Sequence, residues 1–150
     1  MTSIDLDELI QRSVADGSEI VCSGPVDDEK IRRAETMLGV IFPPSYKRYL
    51  LRYGAMEIDG RSFSGLTSRD VGEGGDVVAF TRNAREEYGL PEQYIAIDFQ
   101  DGDAFLCIDT GQKDASGESP LVLISPESGR QQGGVVANGL IDYLARYLSA

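Results

Sequence analysis

Residues 43–54 read PPSYKRYLLRYG, three tyrosines and three cations within twelve residues, and the assignment of this stretch decides the fold. Three readings compete: a nucleic-acid grip, a membrane-surface helix and a core helix. Proline is tolerated in the first turn of a helix, where its missing N–H has no intrahelical partner to lose, so Pro44 or Ser45 can open one. A step of about 100° per residue then puts Tyr46, Tyr49, Leu50 and Tyr53 on one face, Arg48 and Arg52 on the opposite one and Lys47 on the flank. A single-stranded nucleic acid needs stacking rings and cations in the same groove, and a membrane-surface helix asks for a longer amphipathic segment in a less acidic host. The stretch is therefore read as a core helix with a basic outer side, ending at Gly54 through a left-handed exit.

N-terminal to it, Thr2 and Asp5 form a T-x-x-D capping pair ahead of Leu6, Leu9, Ile10, Ser13 and Val14 at helical spacing, with Gly17 as the stop. EIVCS (19–23) predicts a short strand. GPVDD (24–28) predicts a turn whose Asp27 or Asp28 caps a second helix, with Ile31, Ala34, Glu35 and Leu38 on one face, Arg32 and Arg33 turned away and Gly39 ending it. C-terminal to it, residues 56–66 predict a turn with one or two short strands. The loop SRDVGEGGD (68–76) lacks both the GK[ST] of a P-loop and a G-x-G-x-x-G, so it is assigned no nucleotide. Asp76 caps a helix carrying Val77, Phe80, Thr81, Ala84 and Tyr88. YIAIDF, AFLCID and PLVLIS follow as strands with short links, which favour an antiparallel meander. A Gly/Gln-rich loop leads to a last helix whose Val136, Leu140, Leu144 and Tyr147 face the core. The expected class is α+β, a single domain over residues 1–150 with a mainly antiparallel central sheet and four to five flanking helices.

The chain carries 25 acidic and 14 basic residues, a formal net charge of −11. Such a surface repels phosphate backbones and anionic headgroups, so neither a nucleic acid nor a membrane is the expected partner and a basic protein is. Histidine is absent, which excludes Ser-His-Asp and Cys-His nucleophiles and the common His-containing zinc sites. No run approaches the ~18 apolar residues of a membrane span, and the first residues, MTSIDLDELIQ, place acids where a signal peptide needs basic and then apolar ones. A cytoplasmic location is expected, with Cys22 and Cys107 as buried thiols rather than a disulfide.

Two acidic features invite a functional reading. Glu35 stands in line with an apolar stripe; with no partner base in view it reads as a carboxylate accepting hydrogen bonds from a neighbouring helix or loop, not as a general acid. Asp98, Asp101, Asp103, Asp109, Asp114 and Glu118 lie close in sequence with only Lys113 among them. DFQDGDAFLCID fails as a calcium loop, because its Gly is fifth, an apolar residue is seventh and Asp rather than Glu is twelfth. No fixed carboxylate separation for glycoside cleavage can be inferred either. A solvated Asp-rich turn or a docking surface for a basic protein remains.

The pattern I-x-x-A-E-x-x-L-G-x-x-F-P-x-S-Y-K-x-Y-L-x-x-Y-G, Ile31 to Gly54, resembles the signature region of the SUKH superfamily, which includes the yeast Smi/Knr cell-wall regulators and many bacterial immunity proteins. G-D-x-x-x-x-x-D, Gly102 to Asp109, is similar to its second block, and TRNAREEYGL with the strands after it resembles the bacterial subgroup that protects cells against polymorphic toxins. Phe42 departs from the Leu common before the proline, and residues 128–134 find no counterpart. The resemblance covers the chain from about Glu19 to the C-terminal helix. It implies a non-enzymatic domain, without catalytic residues, metal or cofactor, that binds and blocks a toxin, often a nuclease. It also makes Glu35, Pro43, Tyr46, Leu50, Tyr53 and Gly54 structural. Acid clustering and the resemblance together place the expected toxin contacts at the six clustered acids, with Glu57 and Asp59 on an earlier loop. The alternative is a regulatory scaffold that binds host signalling or envelope proteins.

Overall fold

A computed structural model of the chain describes residues 5–100 and 103–150. Thr2 of the expected capping pair, and Asp101 and Gly102 of the acidic turn, lie outside the described residues. The elements run α1 (Leu6–Ala15), β1 (Ile20–Cys22), α2 (Asp28–Leu38), α3 (Pro44–Tyr53), β2 (Met56–Ile58), β3 (Arg61–Phe63), α4 (Val77–Tyr88), β4 (Tyr94–Gln100), β5 (Ala104–Asp109), β6 (Leu121–Ile124), β7 (Gln131–Ala137) and α5 (Leu140–Ser149). The class is α+β, and the described residues form five helices and two antiparallel sheets, ordered β1-β2-β3 and β4-β5-β6-β7.

Local chemistry sets most boundaries. The side chains of Asp5, Asp27 and Asp76 accept from the backbone N–H groups of Glu8, Lys30 and Ala79, so each Asp caps its helix. Gly39 and Gly89 end α2 and α4 in the left-handed conformation. β2 and β3 are joined by Asp59-Gly60, both at positive φ, the pair that two-residue hairpin turns favour.

The two sheets meet at Ser64, whose N–H donates to the Ile97 carbonyl at 2.9 Å and whose hydroxyl donates to the Ala96 carbonyl at 2.7 Å. The β4–β5 register shifts between Ala96 and Asp98. This bulge turns Asp98 to the face of its partner Leu106, where it meets Arg61 of β3 at 2.8 Å. The four-stranded sheet is covered on both faces. One packs Phe105, Cys107, Val122 and Ile124 under α4; the other joins Ile95, Leu106, Ile108 and Leu121 to a larger core with α1, α2, α3 and α5. Burial of all six β5 residues explains why AFLCID reads as an unbroken apolar run.

Two sequence expectations fail in the C-terminal third. Residues 131–137 form a strand where a loop was expected, and Val136 belongs to that strand, so α5 begins only at Leu140. Both cysteines are free, but Cys22 is exposed on the edge strand β1 while Cys107 is buried. Burial raises the pKa of the Cys107 thiol.

Candidate partner-binding surface

Helix α3 buries Tyr46, Tyr49, Leu50 and Tyr53. The phenols of Tyr46 and Tyr49 donate to the carbonyls of Ser64 and Phe63, at 3.1 and 2.8 Å, and burial holds both far above the ordinary phenol pKa. These two bonds tie α3 to the segment that leaves β3, so the aromatic face is packing with its polar tips satisfied. The basic side is satisfied as well. Lys47 pairs with Glu35 at 3.7 Å, Arg48 with Glu118 at 3.8 Å, and Arg52 with Asp7. The Tyr53 hydroxyl also donates to Asp7. Glu35 accepts the Phe42 N–H at 2.7 Å, fixing the turn between α2 and α3.

Asp98, Asp109, Asp114 and Glu118 of the acidic cluster are held by separate sets of partners. Asp109 is 2% exposed, and its carboxylate accepts from the Gln93 and Gln112 amides and the Gly111 N–H, closing the turn after β5. Asp114 accepts from the N–H groups of Ser116 and Glu118 and from the Ser116 hydroxyl, which hold its carboxyl below the usual range. Glu118 takes the Ser45 N–H on both oxygens at 3.1 Å, capping α3 from 73 residues away. Asp98 belongs to a knot in which Arg61 also bonds the Tyr143 hydroxyl at 2.9 Å and lies over the rings of Phe63, Tyr143 and Tyr147. Asp59 sits in the hairpin turn at φ 49°, its carboxylate accepting the Glu19 N–H at 2.8 Å. Asp103 and Glu57 are exposed with no hydrogen-bond or ion-pair partner among the described residues.

The sequence profile of the SUKH_5 family, described as SMI1-KNR4 cell-wall, matches residues 6–149, nearly the whole chain. The chain belongs to the SMI1-KNR4 family. No curated protein matches it significantly. The match begins at α1, so this family domain includes the N-terminal helix ahead of Glu19. Among the described residues no three His, Cys, Asp or Glu side chains group as metal ligands would, and no helix is long and apolar enough to cross a membrane.

Within this family domain the three-stranded sheet keeps one face open. Register places Val21, Glu57 and Ser62 side by side across β1, β2 and β3, all exposed, Val21 at 63%. An open groove of about 250 Å³ runs over this face toward Ser64, Thr67 and Gly75. Sequence reasoning singled out Glu57 and missed the rest. The signal was in the alternation of MEI and RSF, whose middle residues must both face away from the core.

Proposed function

We propose that this chain is a non-catalytic immunity protein that binds a cognate toxin in the cytoplasm and neutralises it by occlusion, the toxin being a basic, nuclease-like domain. One observation carries the reading: a family domain with net charge −11 in which the three cations of α3 are each drawn into an internal pair. Among the described residues, six of the 14 cations pair with acids of the same chain. Nuclease toxins tend to be basic, since they hold phosphates, and an acidic inhibitor is steered toward such a cleft. Glu57 and Asp103 are the sequence-nominated acids best placed to reach a partner, because both are exposed and unpaired. Asp98, Asp109, Asp114 and Glu118 are engaged by partners within the chain.

The test is co-expression of this chain with the toxin-like open reading frame beside its gene. Survival of the host together with co-purification of the two proteins is the expected result. If the host dies and the proteins do not co-purify, the immunity reading falls. A second reading, a regulatory scaffold that binds host signalling or envelope proteins, is favoured by the family's cell-wall description. A gene neighbourhood with no toxin would point there.

A further inference from the structure

Resting on the immunity reading for the identity of its partner, we propose that the groove over the three-stranded sheet receives a Lys or Arg side chain from an extended segment of the toxin. Three observations converge on that occupant. The first is charge: Glu57 stands exposed and unpaired on the central strand, and no lysine or arginine lines the groove. A guanidinium or ammonium entering beside Glu57 meets a free carboxylate, while the Lys30 ammonium at the groove's edge is engaged by the Thr67 and Arg69 carbonyls.

The second is scale and lining. A volume of about 250 Å³ lies below the about 300–1,000 Å³ of ordinary small-molecule pockets, so the groove suits a side chain or two rather than a metabolite. The exposed Val21 offers apolar surface to a methylene stem, while the hydroxyls of Ser62 and Thr67 offer acceptors to a charged head. This division matches the amphipathic build of Lys and Arg.

The third is that the walls are held in place without a ligand. The Lys30 ammonium donates to the carbonyls of Thr67 and Arg69 at 2.6 and 3.0 Å, and the Asp76 carboxylate accepts the Gly72 N–H at 2.8 Å, tying down the loop beside the groove. On the other side, Ser64 is bonded to β4 through both its N–H and its hydroxyl. A preformed groove avoids the ordering cost that a mobile one adds to binding.

The test uses the full chain labelled with ¹⁵N and titrated with the peptide acetyl-Gly-Arg-Gly-Arg-Gly-amide, against the same peptide with citrulline for arginine. Shifts concentrated at Val21, Glu57, Ser62 and Thr67 are expected with the arginine peptide and none with citrulline. Glu57→Lys should weaken binding about tenfold or more, the scale of losing one charge-assisted contact, and Ser62→Trp should fill the groove and weaken it comparably. Both sites are exposed, so unchanged amide spectra elsewhere will verify the fold. Shifts scattered over exposed acids such as Glu86 and Asp103, or variants that bind as wild type does, overturn the groove. Co-expression with the neighbouring toxin separates the two claims. If wild type and both variants neutralise it equally, the groove is wrong and the immunity reading stands. If wild type fails to neutralise while the peptide still maps to the groove, the groove stands and the immunity reading falls.

Discussion

Gly54 is a glycine because of what surrounds it more than because a helix ends there. It has φ 73° but ψ −74°, outside the left-handed helical region that Gly39 occupies at φ 71° and ψ 28°. A Cβ on Gly54 would collide with the Gly24 carbonyl, and the Ser23 hydroxyl and Leu66 carbonyl also crowd the space. A Cβ on Gly39 would meet nothing within 4 Å. Gly54→Ala is therefore expected to cost more than about 3 kcal/mol, at the severe end for single substitutions, while Gly39→Ala costs about 1 kcal/mol for its backbone conformation alone. Urea unfolding of both variants measures the difference; equal losses would mean that the crowding at Gly54 relaxes away. Position in the sequence marked Gly54 as a glycine exit, but it could not show the crowding, because Gly24 and Leu66 are brought there only by the fold. Glu118 is a parallel case. Nothing adjacent in sequence reveals that it caps α3, whereas Asp109 before Thr-Gly and Asp59 before Gly60 carry local turn signals that favour an internal role.

Helix α1 depends on one carboxylate for its polar attachment to α3. Asp7 receives hydrogen bonds from Arg52 and from the Tyr53 hydroxyl, and these, Arg52's the larger effect, hold its carboxyl below the ordinary value of 3.8. A carboxylate with a lower pKa in the folded state contributes stability that is complete above its unfolded value and is lost as pH falls through the folded one. Amide protection across Leu6–Ala15 should consequently drop below about pH 3.8 ahead of protection in α4, to which Asp7 makes no hydrogen bond. In Asp7→Asn that early loss should disappear, with α1 less protected at neutral pH than in wild type. Hydrogen exchange at a series of pH values reads both effects, and an Asp7→Asn profile matching wild type would remove Asp7 from the account. At this scale the sequence was most legible where burial is one-sided or complete: α2 and α3 show a clear apolar stripe, and β5 a continuous apolar run. β7 was illegible because it is an edge strand. Residues 131–135 are exposed, so QQGGV has neither alternation nor β-branched content to mark it until Val135, and pairing with β6 is interrupted between Leu121 and Leu123.

Across the whole molecule, the arrangement of charge matters more than the motif that first suggested cation chemistry. The three cations of α3 face outward, as helical phase predicted, but each meets an acid from another element: Lys47 with Glu35, Arg48 with Glu118, Arg52 with Asp7. The basic side is thereby neutralised from within, and the field outside the molecule is set by the acid excess behind the net charge of −11. The site was legible to the same degree: the sequence showed the excess and nominated acids, while the fold sorted them into those that brace turns and those, Glu57 and Asp103, that face outward unpaired. If that field steers a basic toxin, it acts over distances that salt screens. Raising salt from about 0.01 M to about 1 M shortens the Debye length from about 30 Å to about 3 Å. The association rate constant with the toxin should fall by about 10- to 10³-fold over that range, while dissociation, governed by short-range contacts in the bound complex, changes far less. Stopped-flow mixing at a series of ionic strengths measures both. An association rate indifferent to salt would mean that the acid excess plays no part in finding the partner, whichever surface then holds it.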